Sequence, residues 1–260
     1  MSVFGSYARY YDLLYRDKDY VGEAQFIHRL IQTHAPDAQN VLELGCGTGS
    51  HAVLLAKEGY QIHGVDFSEE MLEKASDRLS QLPTGLASRL KFTCGDIRQI
   101  KLNQTFDVVL SLFHVISYQT TNEDLLAAFA TVKRHLKPGG MFVFDVWYGP
   151  AVLSDRPTLR VKRLEDETIS VTRIAEPVIY PNENLVNINY QVFIKDKSNS
   201  FVDEIHEVHC MRYLFHPEVS LLLNNAGLKI LDAQEWMSGN TLGFDTWGAT
   251  FLALNSLSPH

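Results

Sequence analysis

Val41-Leu42-Glu43-Leu44-Gly45-Cys46-Gly47-Thr48-Gly49, followed further on by Val65-Asp66, governs the reading of this chain. An apolar run enters a glycine-rich turn, a helical pattern follows from Ser50, and a second apolar run ends in an acid. Glycine lets backbone approach a ligand where a Cβ would block it. An acid about twenty residues beyond the first glycine lies near the spacing at which a carboxylate meets ribose hydroxyls in a nucleotide-binding βαβ unit. The turn reads G-x-G-x-G. It is neither the dinucleotide fingerprint G-x-G-x-x-G nor a P-loop, which needs Gly-Lys-Ser/Thr. The spacing therefore counts against a nicotinamide oxidoreductase.

The pattern continues outward from this unit. Tyr20 to Thr33 reads as an amphipathic helix, with Ala24, Ile27, Leu30 and Ile31 on one face. Strands are expected at Asn40–Leu44, Gln61–Val65, Leu90–Cys94, Phe106–Leu112 and Met141–Val146. Between them come helices at Ser50–Glu58, from Ser68 as N-cap, and at Asn122–His135, the last punctuated by Lys137-Pro138-Gly139-Gly140. This alternation predicts a doubly wound α/β fold on a mostly parallel sheet of seven strands with right-handed crossovers. After Pro150 the rhythm becomes period 2. Turn clusters at Pro181-Asn182-Glu183-Asn184 and Asp196-Lys197-Ser198-Asn199 punctuate an inserted antiparallel sheet of three or four strands. A helix over Pro217–Ala226 and strands near Lys229–Glu235 and Thr246–Leu254 close the chain. Residues 1–150 and 214–260 are thus expected to form one ligand-binding domain, and 151–213 an insertion that covers it.

The 260 residues carry a net charge of -8, which argues against a nucleic-acid partner, since a phosphate backbone needs a basic face. No apolar run is long enough for a membrane helix, and no signal peptide opens the chain. Cys46, Cys94 and Cys210 are too scattered for a disulfide framework or a zinc site, so no metal is expected and a cytoplasmic setting is the simplest one. His206 and His209 are three apart, which puts them on opposite faces of a strand. His28 and His135 read as helix-surface residues.

The string E-L-G-C-G-T-G resembles the first motif of class I S-adenosylmethionine (SAM) dependent methyltransferases, and later motifs follow in the family's order. The resemblance implies SAM as cofactor, with S-adenosylhomocysteine as product. Glu43 and the loop of Gly45, Cys46, Gly47 and Gly49 would hold its methionine end and ribose. Asp66 would accept from both ribose hydroxyls, and Phe67 and Met71 would flank the adenine. Asp96 would accept from the adenine amino group, with Ile97 packed on the ring. Asp107 reads as structural. Ser111-Leu112-Phe113-His114-Val115-Ile116-Ser117-Tyr118 ends the central strand, where open α/β sheets bind ligands. It lacks the Asn/Asp-Pro-Pro-Tyr/Phe of enzymes that methylate nucleic-acid or protein-amide nitrogens. Leu112 would line the cofactor site, while His114 and Tyr118 are the candidates beside the reacting methyl. Tyr7, Tyr11 and Tyr20 would fold over the site and bond the SAM carboxylate.

Tyr10-Tyr11-Asp12-Leu13-Leu14-Tyr15, Lys18-Asp19-Tyr20 and Glu23-Ala24 narrow the likeness. With Val146-Trp147-Tyr148-Gly149-Pro150, Leu214-Phe215 and Ala226-Gly227-Leu228, they resemble the nucleotide-linked amino-sugar N,N-dimethyltransferases of desosamine and mycaminose type. That implies a small-molecule amine as acceptor, with Trp147, Tyr148, Arg212 and Tyr213 on the pocket rim. Ser238-Gly239-Asn240-Thr241-Leu242-Gly243 departs from that family's Gly/Arg-rich end. A glycine-type or other small-molecule N- or O-methyltransferase, and a catalytically silent SAM-binding module, therefore remain open. A homodimer through the inserted sheet is the one assembly suggested.

Overall fold

Strand alternation and helix periodicity place two apolar layers on one sheet. The structure, a computed structural model, describes residues 10–11, 13–199 and 201–255. Tyr7 lies outside the described residues. The chain runs α1 (Tyr20–His34), β1 (Asn40–Leu44), α2 (Ser50–Lys57), β2 (Gln61–Asp66), α3 (Glu69–Ser80), α4 (Thr84–Ala87), β3 (Leu90–Cys94) and β4 (Phe106–Ser111). A 3-10 turn (Val115–Tyr118), α5 (Asn122–His135), β5 (Leu136–Tyr148) and α6 (Gly149–Ser154) follow. Then come β6 (Arg160–Glu165), β7 (Ile169–Tyr180), β8 (Leu185–Asp196), β9 (Val202–Leu214), α7 (His216–Asn225), β10 (Leu228–Glu235) and β11 (Gly248–Asn255).

β1 to β5 are parallel in the order β3-β2-β1-β4-β5. β11 lies antiparallel on β5 and β10 antiparallel on β11, so β11 alone among these seven runs against the rest. Leu42, Leu44, Phe142 and Phe144 pack on one face, against Phe129 and Val132 of α5 and Leu223 of α7. Val41, Leu110, Met141 and Val143 pack on the other, against Ile27 and Ile31 of α1 and Leu55 of α2. Both faces being covered explains why these strands read as continuous apolar runs. β6 to β9 form an antiparallel meander. It is joined to the end of β5 where Trp147 and Tyr148 pair with Tyr213 and Leu214 of β9.

Two expectations are corrected. β5 starts at Leu136, not Met141, because Lys137-Pro138-Gly139-Gly140 stays in the strand as an irregularity between the Phe106↔Leu136 and Val108↔Met141 pairs. His135 is fully buried rather than on the surface of α5. It shares a face with Val132 and Ala128; its Nδ1 meets the Thr131 carbonyl at 2.7 Å, and its Nε2 accepts from the Leu102 amide at 2.9 Å. His28 is half-buried, with Nδ1 2.9 Å from the Tyr60 hydroxyl. Asp107 is structural, accepting from the Asn40 amide at 2.9 Å and from Lys137 at 2.6 Å.

Candidate functional site

The carboxyl ends of β1, β2, β4 and β5 open into a cavity of about 540 Å³, within the range of small-molecule sites. One wall is the loop after β1 with the ends of β2 and β3. The opposite wall comes from β8 and β9, through Ile188, Tyr190, His209 and Met211. Tyr11, Tyr15 and Tyr20 of the N-terminal segment cover it from a third side.

The glycine loop explains the first wall. Gly45 and Gly47 sit at φ +79° and +52°, where side chains other than glycine's are strained. A Cβ on Gly45 would strike Val115 at 2.5 Å, whereas one on Gly47 would meet only open space. Gly45 therefore seats the loop on the turn after β4, and Gly47 leaves its backbone bare toward the cavity. Asp66 accepts from the Gly47 amide (2.7 Å) and the Ser68 amide (3.0 Å). Burial raises its carboxyl above the ordinary range, against the pull of these two amides. Cys46, Phe67, Met71 and Leu112 share this wall. Phe67 is 60% exposed, an apolar plate with one face uncovered.

Asp96 and Ile97 also line the cavity, but Asp96 is engaged. Arg98 binds both its oxygens, with Nη2 at 2.5 Å and Nε at 3.0 Å, while Nη1 of Arg98 holds Asp124 at 2.8 Å. The Arg98 hydrogen bond keeps the Asp96 carboxyl below its usual value.

Glu43 and Gly49 are not on the cavity wall. Strand alternation turns Glu43 toward α2, where it is buried with Oε1 3.8 Å from His51 Nδ1 and Oε2 without a partner. His51 in turn meets Glu23 at 2.7 Å, and Lys18 joins the same Glu23 oxygen. Burial, reinforced by the charge of Asp66, pushes Glu43 from 4.5 up to about 8. Between those values the folded chain holds a proton that the unfolded chain releases, so stability falls as pH rises through this window. Glu43→Gln removes that dependence. The melting temperature of the ligand-free variant should gain on wild type from the acid end of the window to the alkaline end. A difference that stays constant with pH would show that Glu43 titrates normally.

The part of the wall that follows β4 is built on a strained turn. Phe113 and His114 both lie in the left-handed region, at φ 64° and 63°, a conformation that costs of order 1–3 kcal/mol per residue and persists only where surroundings enforce it. Asp145, 1% exposed in its side chain, enforces it here. Its Oδ2 accepts from the His114 amide at 3.1 Å and pairs with His114 Nδ1 at 2.6 Å. Nε2 is then the ring nitrogen left to the cavity that His114 lines. Tyr118 also lines it, with its hydroxyl 2.8 Å from His209 Nδ1, and burial holds that phenol well above its usual pKa. Trp147 completes the wall.

Among the expected rim residues, Tyr148, Arg212 and Tyr213 do not line the cavity. Arg212 points off the opposite face of β9 and is buried against Asn122 and Glu218. Tyr213 lies past the end of the cavity, fully buried beside Val152 and Val186. Tyr148 alternates away from Trp147 onto the sheet core. Tyr11 and Tyr20 are on the wall and face each other, hydroxyl to hydroxyl, at 3.4 Å. Sequence reasoning missed Asp145, His209, Tyr190, Tyr15 and Phe113. Only Asp145 carried a signal, as a lone acid within Phe142-Val143-Phe144-Asp145-Val146.

A family model described as a methyltransferase domain matches residues 41–140. The dTDP-3-amino-3,4,6-trideoxy-alpha-D-glucopyranose N,N-dimethyltransferase of Streptomyces venezuelae is 31% identical over 240 residues, covering 91% of this chain and 94% of that protein. The dTDP-4-amino-2,3,4,6-tetradeoxy-D-glucose N,N-dimethyltransferase of Saccharopolyspora spinosa is 26% identical, over 86% of this chain and 85% of its own. Among solved structures, a S-adenosylmethionine-dependent methyltransferase from Clostridium acetobutylicum superposes with a TM-score of 0.81 at 25% identity, covering 98% of this chain and 99% of that one.

Proposed function

We propose an acceptor and a mechanism from one premise: the chain belongs to the class I S-adenosylmethionine-dependent methyltransferases, and SAM is its methyl donor. The residues present fit that donor. Gly47 leaves backbone open to the cavity, Asp66 offers a held carboxylate to ribose hydroxyls, and Phe67 offers an uncovered apolar face to adenine. When bound, SAM supplies a sulfonium-activated methyl group. The Asp96 carboxylate reaches the adenine edge only by sharing its oxygens with Arg98.

The acceptor proposed is the amine of a nucleotide-linked amino sugar, methylated at nitrogen. The supporting observation is the second wall: His114, Tyr118, Trp147, Tyr190 and His209 enclose a site of apolar faces with few polar groups, suited to a small amine and its sugar ring. The names of the two relatives above support the same acceptor class. His114, fixed by Asp145, accepts an amine N–H and turns the nitrogen lone pair toward the methyl. Such orientation is the main contribution a protein makes to this displacement. β8 and β9 roof the pocket and select the acceptor, and Tyr11, Tyr15 and Tyr20 close it against water. Among the described residues no helix is long and apolar enough to cross a membrane, in keeping with an acceptor delivered from water.

A panel of nucleotide-linked amino sugars, free amino sugars, glycine and hydroxyl acceptors tests this. S-adenosylhomocysteine release and product mass should pick out an amino sugar carrying one or two added methyls. Methyl found on oxygen or carbon would overturn the acceptor. Tight SAM binding without turnover on any acceptor would make the chain a silent binding module.

A further inference from the structure

The geometry points to His209 as the acceptor of the amine proton, reached through the Tyr118 hydroxyl and backed by Glu207, an inference that rests on the amine acceptor proposed above. Two remote segments meet to make this couple. Tyr118 comes from the turn after β4, and His209 and Glu207 come from β9. Tyr118 and His209 stand 91 residues apart in the chain, with hydroxyl and Nδ1 at 2.8 Å. His209 Nε2 lies 3.5 Å from Glu207 Oε2, and the Tyr10 hydroxyl donates to that same oxygen at 3.1 Å. The side chains of His209 and Glu207 are only 3% and 5% exposed.

A buried imidazole and carboxylate are costly to desolvate, and an apolar pair of similar volume would stabilise such a site at least as well. Ile188 and Met211, their neighbours on the same wall, show that apolar residues fit there. With Nε2–H turned to Glu207, Nδ1 is the acceptor for the Tyr118 hydroxyl. Glu207 is the carboxylate facing the imidazole. Arg173, 4.6 Å over the Tyr190 ring, is the cation on the same side, and the Tyr190 ring lies 4.9 Å from the imidazole. Tyr10, Tyr118 and Tyr190 are held neutral by burial, and Tyr15 is the remaining phenol on this side of the cavity.

The step balances without another reactant. An acceptor entering as R–NH3+ gives one proton to the Tyr118 oxygen as the phenolic proton passes to His209 Nδ1. The electron pair of the broken N–H bond becomes the amine lone pair. The products are R–NH2 and an imidazolium facing Glu207, which returns its proton to water between turnovers. A second methylation repeats the step on the monomethyl ammonium.

The test compares wild type with His209→Gln, Glu207→Gln and Tyr118→Phe, using the dTDP-linked 3-amino-3,4,6-trideoxyglucose for which the Streptomyces relative is named. Near neutral pH the rate should fall about 100-fold in His209→Gln and Tyr118→Phe, the lower end of general-base effects. In His209→Gln and Tyr118→Phe the acid limb of kcat/KM should move up by about one unit or more, towards the pKa of the amine, whereas in Glu207→Gln, where the imidazole remains with a lower pKa, it should move down. Activity should recover at alkaline pH, where the amine is neutral unaided. His206→Gln, exposed on the same strand, should leave the profile unchanged. S-adenosylhomocysteine titration should stay near wild type and so report folding.

A loss independent of pH would reduce the couple to packing. A limb moved by His114→Gln but not by His209→Gln would assign the proton to the other imidazole. Either result overturns the inference. Nitrogen-15 NMR of the imidazole gives a readout free of any acceptor: Nδ1 unprotonated and Nε2 protonated in wild type, with the pKa lowered in Glu207→Gln. The reverse tautomer or an unmoved pKa overturns the inference as well. Should wild type leave this amine unmethylated while the NMR result holds, the acceptor reading fails and the His209–Glu207 couple stands.

Discussion

Asp66→Ala is expected to weaken binding of SAM and S-adenosylhomocysteine by about 2–3 kcal/mol, or about 30- to 150-fold in Kd, by leaving two ribose hydroxyls without a charged acceptor. The carboxylate is already aimed in the absence of ligand, since the Gly47 and Ser68 amides each hold one of its oxygens. A ribose therefore meets a preorganised group and loses little in ordering it. Asp66→Asn keeps one acceptor oxygen and should lose roughly half as much free energy. Titration calorimetry separates the outcomes, with melting temperature as a control because the same carboxylate braces the glycine loop. A Kd unchanged in Asp66→Ala would confine the residue to that bracing role.

Why this half of the site was legible in sequence follows from its construction. Glycine loop, strand-end acid and helix cap all lie within one βαβ unit, so spacing along the chain translates into distance in space. Ser68 illustrates it, capping α3 by accepting from the Met71 amide at 3.2 Å, as its place before two glutamates implies. Glu43 marks the limit even there. Its membership in the motif is plain, yet strand alternation sends its carboxyl under the loop toward His51 rather than into the cavity.

The acceptor half is assembled from long-range pairings that no local pattern encodes. Period 2 revealed β6 to β9, but the single-residue choice of which strand face meets the cavity depends on how β9 joins β5 at Trp147↔Tyr213. That register turns Arg212 away, carries Tyr213 past the cavity, and brings His209 and Met211 onto its wall. His135 is a different case. It was expected on the helix surface although its spacing from Ala128 and Val132 sets it on the buried face, and an imidazole whose two nitrogens both find backbone partners is compatible with full burial.

His114→Ala should lower kcat about 100-fold, the scale on which misplacing a reacting group acts, while Kd for SAM stays close to wild type. The separation is expected because the imidazole stands on the turn after β4, whereas the site proposed for the donor is the loop after β1 and the end of β2. A group that acts only as the reaction proceeds lowers kcat and kcat/KM together. Asp145 supplies the more discriminating comparison. It holds both the amide and the ring of His114, so Asp145→Ala releases a residue kept at positive φ and should cost stability as well as rate. Asp145→Asn can still accept from the backbone amide but no longer pairs a full negative charge with the ring; it should keep the fold and lose rate alone. Because orientation rather than proton transfer is assigned to this pair, the acid limb of the pH profile should stay in place in both His114→Ala and Asp145→Asn. Full turnover by His114→Ala on the true acceptor would make the strained turn a packing feature and leave orientation of the amine to the aromatic walls.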